Sequence, residues 1–226
     1  MKLKVLGSGS SGNCYILESD TEALIIEAGV PFKEVKVALG FNVRKIVGVV
    51  VSHSHGDHSK YIAEYERACV SVLKPYEIED YLLNFKYGSY SVKPFPLVHD
   101  VPCFGFYISH PDIGNMIYAS DTEYIKYRFK KLNHILVEAN YSDDLIDNEA
   151  VNREHVLRGH MSIQTALDFI STNDNPALRN VVLLHLSDKN SDSEQFLHKI
   201  KETVKYGADC YIAEKGLEVD LNLCPF

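Results

Sequence analysis

No apolar stretch in this chain approaches the roughly 18 residues that a membrane-spanning helix requires, so no membrane-spanning segment is expected. The opening residues, Met1 to Gly7, carry too short an apolar run for a secretory signal. Cysteine is sparse and unpatterned. Cys14, Cys69, Cys103, Cys210 and Cys224 are odd in number and form no C-x-x-C pair. That argues against a disulfide framework and for reduced thiols in a cytoplasmic compartment. Cys14, Cys69, Cys103 and Cys210 sit among apolar residues and read as core. Positive charge is also short, with 23 Lys and Arg against 31 Asp and Glu, a formal net charge of −8. Extended duplex binding usually leaves a basic excess, and there is none. A nucleic-acid end could still enter a metal-lined pocket, because divalent cations bring their own positive charge. Internal repeats, low-complexity tracts and interdomain linkers are absent. The polar stretches 142–147 and 188–193 are too short to divide the chain, so residues 1–226 are expected to form a single domain.

What is present is an ordinary globular composition, 226 residues with 46% hydrophobic, enough for a sizeable core. Apolar β-type segments are expected at 3–6, 14–17, 23–27, 46–51, 70–73, 90–92, 103–109, 115–119, 135–138, 181–185 and 210–213. Helical spacing fits 31–39, 77–85, 162–170 and 194–206. In the last, Phe196, Leu197, Ile200 and Val204 share a face, Ser191 and Glu194 have capping-box spacing, and Gly207 is a plausible stop. Many strands with interspersed helices suggest an α/β fold of two sheets covered by helices.

The densest signal is His53-Ser54-His55-Gly56-Asp57-His58, directly after the apolar segment 46–51. Three imidazoles and a carboxylate in one tight turn gain little from crowding in water. A divalent cation such as zinc gains from it, since neutral imidazole and carboxylate are its usual ligands. A merely histidine-rich polar loop is the bland alternative. Further polar residues end other apolar segments: Glu27, His99 between Pro96 and Pro102, Asp121 after 115–119, and His185 after Val182-Leu183-Leu184. Taken alone, His99 could be a satisfied loop residue and Asp121 a helix cap. A polar His185 in an apolar run is costly unless paired. His110, His134, His155 and His198 fit no motif and read as surface or loop residues.

The order of these motifs resembles the metallo-β-lactamase fold superfamily over nearly the whole chain. The resemblance implies an αββα sandwich of two mixed β-sheets flanked by helices, with the site along one edge. It implies two divalent metal ions, zinc foremost and manganese as the other option. His53, His55 and His99 would hold the first ion, and Asp57, His58 and His185 the second. Asp121 would bridge them, and Asp57 would also orient a metal-bridging hydroxide as nucleophile. The family's first motif usually has aspartate where this chain has Glu27, a residue that braces the histidine loop and does not bind metal.

Gly7-Ser8-Gly9-Ser10-Ser11-Gly12-Asn13 resembles the opening of a bacterial exonuclease-like branch of the superfamily. Leu136-Val137-Glu138-Ala139-Asn140, Gly159-His160-Met161-Ser162 and His185-Leu186-Ser187 are similar to that branch and to ribonuclease Z. By that resemblance His160, with Glu138, is placed to protonate the leaving oxygen of a phosphodiester. His160 could equally be a helix-entry residue ahead of the Ser162 cap, and Glu138 a structural strand-end acid. No Gly- and Pro-rich insertion resembles the tRNA-binding arm of ribonuclease Z. The expected partner is therefore a phosphodiester substrate, either a nucleic-acid end or a small nucleotide, without a membrane. A homodimer is compatible with this reading. Alternatives are hydrolysis of a cyclic nucleotide in the manner of phage anti-defence phosphodiesterases, hydrolysis of a thioester or lactone, and a catalytically silent metal-binding protein.

Overall fold

Alternating burial along the strands builds the architecture. A computed structural model describes residues 1–146 and 159–223. Among these, one mixed sheet has the order β13-β1-β2-β3-β4-β5 and a second the order β12-β11-β10-β9-β8-β7-β6. The first comprises β1 (Lys2–Gly7), β2 (Cys14–Glu18), β3 (Ala23–Ile26), β4 (Ile46–Val50), β5 (Val72–Leu73) and β13 (Glu218–Asp220). The second comprises β6 (Phe85–Tyr87), β7 (Tyr90–Pro96), β8 (Phe104–His110), β9 (Gly114–Ala119), β10 (His134–Glu138), β11 (Asn180–Leu184) and β12 (Asp209–Ile212).

The period of two in a strand sends alternate residues to opposite faces. Tyr15, Leu17, Leu24, Ile26 and Val50 of the first sheet meet Tyr118, Leu136, Val182 and Leu184 of the second in one core between the sheets. Their neighbours Ile16, Ile25 and Val49 turn outward beneath α1 (Phe32–Ala38) and α3 (Ile62–Arg67), packing with Val35 and Tyr65. Ile135, Val137, Val181 and Leu183 turn the other way beneath α4 (Ile163–Asn173) and α5 (Ser193–Thr203), packing with Ile170 and Phe196. The result is the expected αββα layering. Strands buried on both faces read as continuous apolar runs, which is why β10 and β11 were legible.

β3, β4 and β5 run parallel, as do β9 through β12. Val137 lies opposite Ala119, and Glu138 opposite Leu184. Residues just past these strands therefore fall on one edge of the sandwich.

Several local expectations are corrected. The segment 77–85 is not a helix: a 3₁₀ turn (Pro75–Glu77) leads into turns and then β6. Its apolar residues Leu82 and Leu83 are exposed, so a helix there would have no face to bury. The short edge strands β6 and β13 and the helices α2 (Gly56–Ser59) and α3 carry too little periodicity to stand out. α5 is capped by Asp192, whose carboxylate accepts from Gln195 N at 3.0 Å, and not by Ser191. An anionic acceptor at a helix start outcompetes a hydroxyl one residue earlier. That helix ends at Thr203, ahead of Gly207. Cys69 is exposed and so not core, whereas Cys210 is half-buried and packs against the core of the second sheet.

Two histidines read as surface residues are buried. His110 sits on Glu22 Oε1 at 2.9 Å, and its Nδ1 accepts from Asp112 N. His134 Nε2 donates to Ile113 O at 3.1 Å, and its Nδ1 accepts from Asn180 Nδ2 at 3.0 Å. His198 is exposed as expected, and His155 lies outside the described residues.

With both nitrogens engaged as one donor and one acceptor, His134 is built to be neutral. Burial holds its pKa down to about 4. The unfolded chain protonates it near the ordinary value of about 6.5. Stability should therefore fall as pH drops from about 6.5 toward about 4, then level off as the folded form also protonates. His134→Gln cannot titrate and should lose about 3 kcal/mol less over that window. Urea unfolding at stepped pH checks this; parallel curves for the two proteins would contradict it.

Candidate metal centre

Six strand ends bring polar residues to the same edge. β3 delivers Glu27, β4 the histidine turn, β7 His99, β9 Asp121, β10 Glu138 and β11 His185. Glu27, Asp121 and His185 all have left-handed backbone, with φ of 67°, 52° and 53°. Each such non-glycine residue costs about 1–3 kcal/mol and persists only when its surroundings hold it. The turn lets a strand-end side chain swing back over the sheet edge. The loops close tightly: a Cβ on Gly29 would lie 1.7 Å from Asp57 O and 2.6 Å from Asn13 N. Only glycine allows that approach.

Asp121 is the hub, 2% exposed. Its Oδ2 lies 3.0 Å from His58 Nε2 and 3.4 Å from His53 Nε2. Its Oδ1 contacts His185 Nδ1 and accepts from Ser120 Oγ at 3.1 Å. His55 Nδ1 stands 3.3 Å from His99 Nε2, and Asp57 Oδ2 stands 3.3 Å from His58 Nε2. Three groups of possible donors share Asp121: His53, His55 and His99; Asp57 and His58; and Glu138, His160 and His185. The expected first set thus comes together whole. The expected second set is divided, with Asp57 and His58 facing one oxygen of Asp121 and His185 the other.

The surroundings fix which nitrogen each histidine presents. His99 Nδ1 donates to Gly159 O at 2.9 Å, leaving the Nε2 lone pair toward the cluster. His53 Nδ1 is 2.8 Å from Ser52 Oγ, and its buried Nε2 has no hydrogen-bond partner among the described residues. His58 Nδ1 faces Glu27 Oε1 at 3.4 Å, while Glu27 Oε2 accepts from Ser52 N at 3.2 Å. Lone pairs aimed at each other and at a carboxylate repel unless a cation lies among them. Tetrahedral donors about 2.0–2.1 Å from zinc stand about 3.3 Å apart, which is the spacing found here. The residues fit a metal by geometry and by chemistry.

Electrostatics agree. Burial raises the Asp121 carboxyl, but the imidazoles of His185 and His58 outweigh it and hold the group well below the usual carboxylate range. Burial lowers His58, yet Asp121 and Glu27 hold it well above the ordinary histidine value. Burial lowers His53 and takes His99 down to about 4. Asp121 is thus ionised and His53 and His99 are neutral, as ligands must be, whereas His58 keeps a proton that a bound metal would displace.

Glu138 is buried and accepts from Thr122 N at 3.0 Å and Met161 N at 3.3 Å through Oε2. Its Oε1 takes His160 Nδ1 at 2.6 Å. Burial opposes a charge on His160, but Glu138 prevails and raises it to about 9. Ser162 does cap α4, accepting from Thr165 N at 3.1 Å. His160 is therefore both a helix-entry residue and a member of the cluster.

Supporting residues went unread in the sequence. Asn13 Nδ2 lies 2.9 Å from His58 Nε2 and donates to Asp57 Oδ2 at 3.2 Å. Ser8 Oγ receives the His185 amide at 2.9 Å, and Asn140 Nδ2 donates to His185 O at 2.8 Å. Asp100 Oδ1 is 3.5 Å from His55 Nε2 and 3.1 Å from His99 Nε2. The available signal was their position within motifs already quoted, at 7–13, 136–140 and beside His99.

Glu27 should matter through its bracing. Glu27→Ala strips Ser52 N of its buried acceptor and His58 Nδ1 of the carboxylate it faces, which should cost about 2–4 kcal/mol and weaken zinc binding about 10- to 100-fold. Glu27→Asp should recover most of the affinity. Chelator competition and urea unfolding read both quantities. Unchanged affinity in Glu27→Ala would remove Glu27 from this role.

Comparison with known proteins accords with the geometry. Residues 7–122 match the family model of the metallo-beta-lactamase superfamily. Exodeoxyribonuclease YycJ of Bacillus anthracis is 22% identical over 250 aligned positions, covering 97% of this chain and 92% of YycJ. The metallo-beta-lactamase fold protein YhfI of Bacillus subtilis superposes with a TM-score of 0.72 at 15% identity, covering 97% of this chain and 99% of YhfI. The short form of human tRNase Z superposes at 0.64, with 15% identity and 98% and 99% coverage. No helix among the described residues is long and apolar enough to cross a membrane. With its αββα layers, its clustered strand-end histidines and a family match over more than half its length, the chain belongs to the metallo-β-lactamase superfamily and is a metal-dependent hydrolase.

Proposed function

We propose that the chain is a two-metal phosphodiesterase that cleaves nucleic-acid ends. The observation that carries this reading is His160, clamped by Glu138 beside Asp121. An exodeoxyribonuclease relative aligned over nearly the whole chain supports it. In this reading His53, His55, His99 and Asp121 hold one ion, and Asp57, His58, His185 and Asp121 the other. Zinc suits the nitrogen-rich first set, and manganese is compatible with the carboxylates of the second. When bound, such ions supply Lewis acidity to phosphate oxygens and lower the pKa of a water molecule.

The chain's own residues do the rest. Asp121 supplies two oxygens, Oδ2 toward His53 and His58 and Oδ1 toward His185, where an imidazole would present a single lone pair. Asp57, partly exposed and held by Asn13, orients the attacking water. Glu138 orients the His160 ring through Nδ1 and favours its protonated form, which suits a proton donor to the leaving oxygen. A phosphodiester needs that proton more than a thioester does, because an alkoxide is a far poorer leaving group than a thiolate. Hydrolysis of a small or cyclic nucleotide is the second reading. The acidic composition, with its −8 charge and no tRNA-binding arm, favours it over extended duplex binding.

His160→Gln should retain normal metal content and melting temperature while losing about 10²–10⁴-fold in rate. The assay should pair 5′-phosphorylated single- and double-stranded DNA and RNA with cyclic mononucleotides and bis(p-nitrophenyl) phosphate, each with zinc and manganese. Metal loss in His160→Gln, with little change in rate once reloaded, would reassign His160 to structure. Inactivity on every phosphodiester would overturn the reading itself.

A further inference from the structure

A groove of about 830 Å³ opens beside Asp57, lined by residues of the 7–12 loop and of the segments after β11 and β12. That volume lies within the range of small-molecule sites. Its lining is unusual for a phosphate site. Glu34, Asp57, Asp188 and Glu214 oppose only Lys60 and Lys215. Lys215 is already paired with Glu34 at 2.7 Å. A polyphosphate strand laid here would meet net negative charge. What the lining offers instead is hydroxyl groups, from Ser8, Ser10, Ser11, Ser187, Ser191 and Ser193. Ser10, Ser11 and Ser193 are exposed. It also offers the ring of Tyr61, half-buried at the groove wall, with the Lys60 ammonium 5.5 Å from its centroid. Hydroxyls match the sugar and the base edges by hydrogen bonding, and aromatic rings stack on bases of any sequence.

We propose that this groove is a nucleoside subsite. It takes the neutral sugar and base of the nucleotide whose phosphodiester meets the metal centre, and it disfavours a second phosphate. The inference rests on the phosphodiesterase reading and sharpens it. The nucleoside in the groove is the terminal one, the remainder of any strand leaves on the other side of the metals, and one nucleotide is released per cleavage.

The test uses the full metal-loaded chain, two groove variants and three substrates. Bis(p-nitrophenyl) phosphate has no nucleoside and reports only the metal chemistry. Thymidine 5′-(p-nitrophenyl phosphate) adds the nucleoside, and its 3′-phosphorylated form adds a second phosphate. Ser11→Trp fills the groove, and Tyr61→Ala removes the stacking ring. Each should raise KM for the thymidine substrate by about tenfold or more, while leaving bis(p-nitrophenyl) phosphate unchanged. The 3′-phosphate should raise KM further in the wild type, and Asp188→Lys with Glu214→Lys should erase that penalty. Ligand-observed NMR with thymidine reads the subsite without turnover: binding should be present in the wild type and lost in Ser11→Trp. Thymidine binding that survives in both groove variants overturns the proposal, as does a 3′-phosphate that lowers KM. Inactivity of the wild type on bis(p-nitrophenyl) phosphate would instead count against the phosphodiesterase reading, and thymidine binding would still decide the groove.

Discussion

A buried carboxylate ringed by imidazoles is the constraint around which this fold is organised. Asp121 faces His53, His58 and His185, while His55 and His99 turn nitrogen toward nitrogen beside it. A proton can relieve one such contact at a time, and the polarised lone pairs of the neutral ligands remain. Divalent cations relieve all of them together. Much else follows from assembling this cluster. Three non-glycine residues are held with left-handed backbone, the loops at Asn13, Gly29 and Asp57 press into contact, and Ser52, Ser120, Glu27 and Gly159 fix ring orientations. Strain of about 1–3 kcal/mol per left-handed residue is modest beside the apparent 10–16 kcal/mol of structural zinc in small peptides. The fold can carry the strain because two sheets and four helical neighbours bury the strands that deliver these residues.

The same constraint explains how roles divide. His53 and His99 have their Nδ1 occupied by a hydroxyl and a backbone oxygen, which suits a fixed ligand. His160 differs from these two, because the buried Glu138 carboxylate holds its Nδ1 at 2.6 Å. That partner favours an imidazolium over a lone pair, as the proposed acid role needs. The groove beyond Asp57 extends the logic to substrate. In the proposed reaction a bound metal centre would supply the positive charge a phosphate seeks, so the remaining surface can be acidic and rich in hydroxyls.

Much of the layering and the donor set was legible in the sequence, for one physical reason. A polar residue at the end of an apolar run interrupts a pattern that burial enforces, so Glu27, Asp121, Glu138 and His185 stand out. The histidine turn stands out by density. What stayed hidden depends on partners far along the chain. His134 is satisfied by Asn180 and Ile113, and His110 by Glu22, and no local pattern announces those pairings. The segment 77–85 has helical spacing, but tertiary structure gives its leucines nothing to pack on. Asn13 is unremarkable in a glycine-serine run until the fold sets it against His58. The distribution of donors into three groups around Asp121 is likewise a property of the fold and not of spacing.

Elemental analysis of the purified, metal-saturated chain, with Asp121→Ala alongside, tests the central claim most directly. The account predicts two tightly held divalent ions per chain in the wild type and loss of both, or near loss, when the shared carboxylate is removed. One ion or fewer per wild-type chain, insensitive to Asp121, would contradict it.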